Sequence, residues 1–192
     1  MDEKLYSFLK YTAIIMVVAW IGWSFYDSFI KEQAPGQNAY LTGEKFFEDG
    51  DYGRALGEYE SALLQDSDAP YLVRAKARAL MQLGRYEESL DWFNRAVGLQ
   101  PFFGGTYANR GILYDRMGQY ELAVEDYQKA LDLDDEIGEG PHWLTRFLRK
   151  QPEKPPTVKE RLEYLKVELA KPEEERVLRV PELDQAQRSY KM

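Results

Sequence analysis

Cysteine is absent from the 192-residue chain and histidine occurs once, at His142. The first absence excludes disulfides, thiolate metal sites and cysteine nucleophiles, and a single imidazole leaves the usual metal-ligand sets without material. Basic charge is also short. Lys and Arg number 25 against 33 Asp and Glu, a net charge of -8 and a pI near 4.9. That balance removes the cationic excess on which nucleic-acid binding runs. No Gly-x-Gly-x-x-Gly fingerprint, phosphate loop or nucleophile elbow is present. The acidic run Asp132, Asp134, Asp135, Glu136 and Glu139 lacks the alternating ligands and closing Glu of a calcium loop, so it reads as the solvated end of a helix. His142, between Pro141 and Trp143, reads as a packing or capping residue. No metal, cofactor or catalytic centre is expected, and the chain is expected to bind protein and not to act as an enzyme.

What is present is unevenly distributed. Tyr11 to Tyr26 carries no charge and centres on the run from Ala13 to Ile21. Sixteen helical residues reach about 24 Å against a hydrocarbon core of roughly 30 Å. The flanks close the gap: Leu5, Tyr6, Phe8 and Leu9 precede it, Phe25, Tyr26 and Phe29 follow it, and Lys10 can snorkel. Trp20, Trp23 and Tyr26 suit an interfacial belt. A cleaved signal peptide is disfavoured by the bulky Trp23-Ser24-Phe25-Tyr26-Asp27, and a core helix by apolar residues on every face. Residues 1–32 are therefore expected to be a single transmembrane anchor in contact with the lipid bilayer. Lys4 and Lys10 before the span nearly balance Lys31 and Lys45 after it. The lack of a basic cluster after the span points to a periplasmic soluble part.

The rest of the chain is periodic. Gly50-Asp51-Tyr52, Gly84-Arg85-Tyr86 and Gly118-Gln119-Tyr120 recur every 34 residues. In the same register stand Gly43, Ala77 and Gly111; Phe46, Leu80 and Tyr114; Ala55, Ser89 and Ala123; Tyr59, Phe93 and Tyr127; and Ala62, Ala96 and Ala130. Small residues at two of these positions let paired helices approach, the rings fill the neighbouring holes, and each glycine ends a first helix in the left-handed conformation.

The period and the small/aromatic pattern resemble the tetratricopeptide repeat family over residues 37 to about 136, and with the N-terminal span the chain resembles a membrane-anchored bacterial protein of that family. The resemblance implies an all-α chain: a single N-terminal transmembrane helix, then a three-repeat α-solenoid with C-terminal capping helices. The repeats would run about 37–69, 70–103 and 104–136. Departures include Ala39 where Val73 and Tyr107 stand in the later repeats, Pro70 a few residues late after repeat one, and Asp135 in place of a proline after repeat three.

Beyond the repeats, residues 137–150 are expected to cap repeat three through Trp143, Phe147 and Leu148, and 151–156 to form a Pro-rich linker. Thr157 and Glu160 form a capping box opening an amphipathic helix over 157–171, with Val158, Leu162, Leu165 and Leu169 on one side. It reads either as a further cap or as a docking element. Residues 172–192 would form an extended tail, with a short helical stretch from Glu173 to Arg179.

In the family, first helices line a concave groove. By register, this implies a partner-binding set of Tyr40, Glu44 and Phe47, then Arg74, Arg78 and Met81, then Asn109, Ile112, Asp115 and Arg116. Arg74, Arg78 and Asn109 look partly like the carboxylate clamp of chaperone-binding members, although Glu139 and Trp143 stand where its further basic pair would be. Alternatively, the two arginines pair with neighbours such as Glu44 or Asp115, or the tail from Pro181 to Met192 fills the groove. The expected function is a membrane-tethered scaffold or adaptor that holds a protein partner, through a peptide segment or C-terminal carboxylate, during assembly or quality control of a membrane or envelope complex. The alternative is a permanent accessory subunit of such a complex.

Overall fold

The computed structural model describes residues 3–26, 35–140 and 156–181, and no strand occurs among the described residues. Helix α1 (Glu3–Phe25) is long and apolar enough to cross a membrane, and none of its residues is buried. Its Thr12 hydroxyl donates to Phe8 O at 2.9 Å, the inward bond by which a hydroxyl is satisfied on an apolar helix.

Six helices follow in three pairs: α2 (Gln37–Glu48) with α3 (Tyr52–Leu63), α4 (Pro70–Gln82) with α5 (Tyr86–Leu99), and α6 (Gly104–Arg116) with α7 (Tyr120–Leu133). Each pair turns on the glycine that the sequence singles out: Gly50, Gly84 and Gly118 lie at φ 80°, 75° and 75°. In each turn the next amide donates five residues back, Asp51 N to Phe46 O, Arg85 N to Leu80 O and Gln119 N to Tyr114 O, at 2.8–3.0 Å. This closes the first helix by the same left-handed motif three times. Pro70, which the sequence reading places late after repeat one, is the first residue of α4, where its missing N–H is not needed.

Within each pair the helices touch through a small residue and a ring. A Cβ on Gly43 would lie 2.6 Å from the Tyr59 ring, and one on Gly111 2.7 Å from the Tyr127 ring. In the middle pair Ala77 and Phe93 take these places, and the Ser89 hydroxyl donates to Ala77 O at 2.8 Å. Tyr59, Phe93 and Tyr127 are fully buried. Successive pairs stack through α3 on α4 and α5 on α6, and Trp92 packs against all three apolar clusters of the stack. Arg110 grips Asp126 with two bonds of 2.6 and 2.8 Å and reaches Asn94 at 2.8 Å, joining α5, α6 and α7.

After α7 the acids Asp132, Asp134, Asp135, Glu136 and Glu139 are exposed, as the sequence suggests, but the helix itself stops at Leu133. Asp135–Gly138 is a 3-10 turn opened by Asp134, whose carboxylate accepts from Glu136 N at 3.1 Å, and it buries Ile137. The expected capping helix over 142–149, with His142 and Trp143, and the linker up to Pro155 lie outside the described residues. Helix α8 (Val158–Leu169) opens with the capping box, Thr157 N to Glu160 Oε2 at 2.8 Å and Glu160 N to Thr157 Oγ1 at 3.2 Å. It buries Val158, Leu162 and Leu165 against α7, where a fourth first helix would stand.

The short helical stretch expected after Pro172 is confined to a 3-10 turn, Glu173–Glu175. From Arg176 the backbone is extended because α8 supplies its partners. Val177 N donates to Glu168 Oε2 at 2.8 Å, Tyr164 Oη donates to Val177 O at 2.7 Å, and Arg161 Nη2 donates to Leu178 O at 3.1 Å. These three side chains stand about one turn apart, so the strap runs back along α8.

Two outcomes follow. Gly111→Ala should lower unfolding free energy by about 1–3 kcal/mol through overpacking on Tyr127. Gly57→Ala, with nothing within 4 Å of the added carbon, should raise it by roughly 0.5–1 kcal/mol, both read by urea titration. The Glu168 carboxyl is held below the usual range by the Lys171 ammonium and then by the Val177 amide. A depressed carboxylate stabilises the fold above its unfolded pKa and loses that contribution as pH falls through the folded value. Acidification should therefore speed exchange of the Val177 amide before the repeats melt, and Glu168→Gln should flatten that response.

Candidate functional site

The face built by α2, α4 and α6 carries the register positions 40/74, 44/78/112 and 47/81/115. Glu44 and Arg78, equivalent residues of adjacent repeats, form an ion pair at 2.5 Å. The same Glu44 oxygen accepts from Tyr59 Oη at 2.6 Å, and the Arg78 guanidinium lies 4.7 Å from the centre of the Phe47 ring. Burial, with that bond to Glu44, pushes the Tyr59 hydroxyl far above its ordinary range.

Arg74 sits one turn away with a weaker set of partners. Its Nη1 donates to the neutral Gln100 at 2.5 Å and its guanidinium lies 4.2 Å from the Phe103 ring centre. Among the described residues it forms no ion pair with a carboxylate. Arg74 and Arg78 are 6% and 3% exposed, and the Nε of each lacks a hydrogen-bond partner. Burial holds Arg74 below the usual arginine range; Tyr40 opposes the shift and Arg78 adds to it. Two buried cations thus stand one turn apart while only Arg78 is paired with a carboxylate, an arrangement that a further anion would relieve. Tyr40 packs edge-on against Tyr71, ring centres 4.9 Å apart, and burial followed by Glu44 raises its hydroxyl.

Other expected positions are placed differently. The two arginines do not stand clear of the packing: both are buried, with the Arg74 guanidinium over the Phe103 ring and that of Arg78 over Phe47. Met81 and Ile112 are core residues, each 1% exposed, since α4 is packed between α3, α5 and α6, and α6 between α4, α5 and α7. Asn109 is fully buried and donates to Gly105 O of its own helix at 3.1 Å. Asp115 receives two bonds of 2.7 Å from Arg161 of α8, and Tyr127 Oη donates to it at 3.3 Å. Arg116 is half-buried and donates to Gln82, its equivalent one repeat earlier, at 3.3 Å.

Sequence reasoning missed Gln100 and Phe103, which lie in an inter-repeat segment, and Arg161, which lies beyond the repeats. No register points to any of them. On the second-helix side, a cleft of about 550 Å³ is lined by Leu64, Lys76, Trp92 and Arg95. Its cations are already paired, Lys76 with Glu60 and Arg95 with Asp68, so the uncompensated charge lies on the first-helix face. Among the described residues no group of three or more His, Cys, Asp or Glu is placed to hold a metal.

Comparison with known proteins agrees with this geometry. Two family models described as tetratricopeptide repeat match residues 40–102 and 106–136. The chain is 29% identical over 104 residues to small glutamine-rich tetratricopeptide repeat-containing protein 2 of Mycosarcoma maydis, which covers 54% of this chain and 30% of that protein. It is 33% identical over 101 residues to a DnaJ homolog subfamily C member 7 homolog of Dictyostelium discoideum, covering 50% and 19%. The chain thus spans less than a third of either relative. Among solved structures, the first such domain of Spaghetti bound to the HSP90 peptide SRMEEVD superposes with a TM-score of 0.59 at 21% identity, covering 73% of this chain and 97% of that one. The TPR2B domain of yeast Sti1 in complex with pHsp70 gives 0.52 at 20%, covering 63% and 100%. Both show the same fold.

The Asp115–Arg161 contact allows a direct check. Asp115→Ala alone should cost about 3–5 kcal/mol in chemical denaturation, because it strands a buried cation. Asp115→Leu combined with Arg161→Met should cost much less.

Proposed function

The chain belongs to the tetratricopeptide repeat family through residues 40–136, and from that premise we propose that it is a membrane-tethered adaptor whose first-helix face holds an acidic segment of a partner protein. The observation that carries this reading is Arg74: a buried guanidinium with only a neutral amide and a ring for company, beside an Arg78 that already uses Glu44. A carboxylate brought to Arg74 gains a charge-assisted hydrogen bond and relieves the excess charge. Domains of this fold have been solved with an HSP90 peptide, SRMEEVD, that contains two glutamates and ends in an aspartate, which supports the same use of the face here. Glu139 in place of a further basic residue argues against a full terminal-carboxylate clamp and for recognition centred on α4.

Tethering is supported by α1, which is uncharged from Tyr11 to Phe25 and has no buried residue. Fixing a modest-affinity site at a membrane raises its effective concentration toward partners in that membrane. This suits assembly or quality control of a membrane or envelope complex. The absence of a Lys/Arg cluster after the span supports a periplasmic side. A second reading, a permanent accessory subunit, is favoured by the largely exposed aromatics Trp20 and Trp23 of α1, which would then pack inside the complex. Fixed stoichiometry in gentle-detergent extracts supports the subunit; substoichiometric partners crosslinked through α4 support the adaptor.

For the face itself, Arg74→Gln in the full chain should weaken capture of the peptide SRMEEVD roughly 10-fold or more, with helical content and melting unchanged. Equal binding by the variant would overturn the assignment. Reporter fusions after residue 140 should be active on the outer side of the inner membrane; activity only inside would reverse the topology.

A further inference from the structure

Three arginine–carboxylate pairs lie within the stack, and one is built unlike the other two. Arg110 grips both oxygens of Asp126 and Arg161 both oxygens of Asp115, acids that are 8% and 4% exposed. Arg78 holds Glu44 through one bond only, Nη2 to Oε1 at 2.5 Å, and the Glu44 side chain is 13% exposed. The same oxygen takes the Tyr59 hydroxyl, and Oε2 accepts no bond among the described residues. A carboxylate held by one oxygen and reaching solvent is the easiest of the three to exchange, because it regains water as it leaves. The cations beside it are short of partners: Nε of Arg78, and Nε of Arg74 one turn away, are buried with none.

We propose that Glu44 is a resident acid of the first-helix face: it occupies Arg78 as a ligand carboxylate would, the Tyr59 hydroxyl latches it there, and a segment with neighbouring acids must turn it out to engage both arginines. This rests on the reading of that face as a site for acidic peptides and adds what governs access to it. The first acid of a ligand meets Arg74, which has no carboxylate to lose. A second acid directed at Arg78 comes against the like charge of Glu44 and enters only as Glu44 leaves. The exchange replaces one carboxylate by another, so the buried Arg78 is never left bare. Glu44 thereby sets specificity: a segment with one acid is taken at Arg74 alone, and further acids add affinity only beyond the cost of displacing Glu44. Tyr59 latches without loosening the helix pair, since its ring lies on Gly43 and only its hydroxyl reaches Glu44.

Anisotropy of labelled SRMEEVD with the full chain in detergent tests this. Glu44→Gln, whose amide oxygen still accepts from Arg78, should tighten binding several-fold. Tyr59→Phe, which keeps the ring and removes the latch, should tighten it by a smaller factor. Glu87→Gln takes the same charge from an exposed position on α5 and should change nothing. A single-acid peptide, SRMEQVN with an amidated end, should bind the native and Glu44→Gln chains alike. SRMEEVD affinity that is unchanged or weakened in Glu44→Gln, or an equal gain for both peptides, would overturn the proposal. Should Glu44→Gln lose helical content, Tyr59→Phe decides, and native affinity in that variant overturns it equally. If in those cases Arg74→Gln still weakens SRMEEVD binding, the face stands as a peptide site and Glu44 is only its brace. If SRMEEVD binds neither the native nor the Glu44→Gln chain, the face reading fails and takes the resident acid with it.

Discussion

The contact on which this molecule depends is a ring laid against a residue too small to resist it. Tyr59 on Gly43, Phe93 on Ala77 and Tyr127 on Gly111 set how closely each pair of helices lies, and the pairs can stack only because each has the same thickness. The contact also reaches the binding face. Where the ring is a tyrosine, its hydroxyl emerges on an acid of the first helix, Glu44 or Asp115. In the middle pair, where arginines occupy α4, the ring is the phenylalanine Phe93, with no hydroxyl to place. The packing residue and the surface it supports are chemically matched, repeat by repeat.

Buried ion pairs then tie units that apolar packing alone would leave free to slide. Arg78 and Glu44 join repeats one and two, Arg110 and Asp126 bind the third pair together, and Arg161 and Asp115 fasten α8 to repeat three. Each removes charge from water at a penalty that its Coulomb attraction offsets only with good geometry. Their chief effect is on register. A shift of one helical turn would leave a guanidinium buried without its carboxylate.

The repeats were legible because they are written in residue size, and size acts locally. The 34-residue spacing, the left-handed glycines and the capping box at Thr157 all appear where the pattern puts them. The site was harder to read. Register says which residues share a face but not which of them a neighbouring element covers, so Met81 and Ile112 became core residues and Asp115 was taken by Arg161. The partners that make Arg74 unusual, Gln100 and Phe103, come from a connecting segment whose position depends on two repeats at once. The strap illustrates the same limit: its extended form comes from α8 side chains that no local propensity reveals.

The stack is also asymmetric. At its far end, repeat three is closed by α8, a capping box and a bidentate ion pair. At its near end α2 leans on α3, on Tyr71 through Tyr40, and on the bridge from Glu44 to Arg78. Tension transmitted along the chain from α1 therefore enters where the solenoid is least fastened, and the first repeat would peel before the others yield. Mechanical load and the charge on the binding face are in this way coupled, because one of the contacts that resist peeling is the bond that neutralises Arg78.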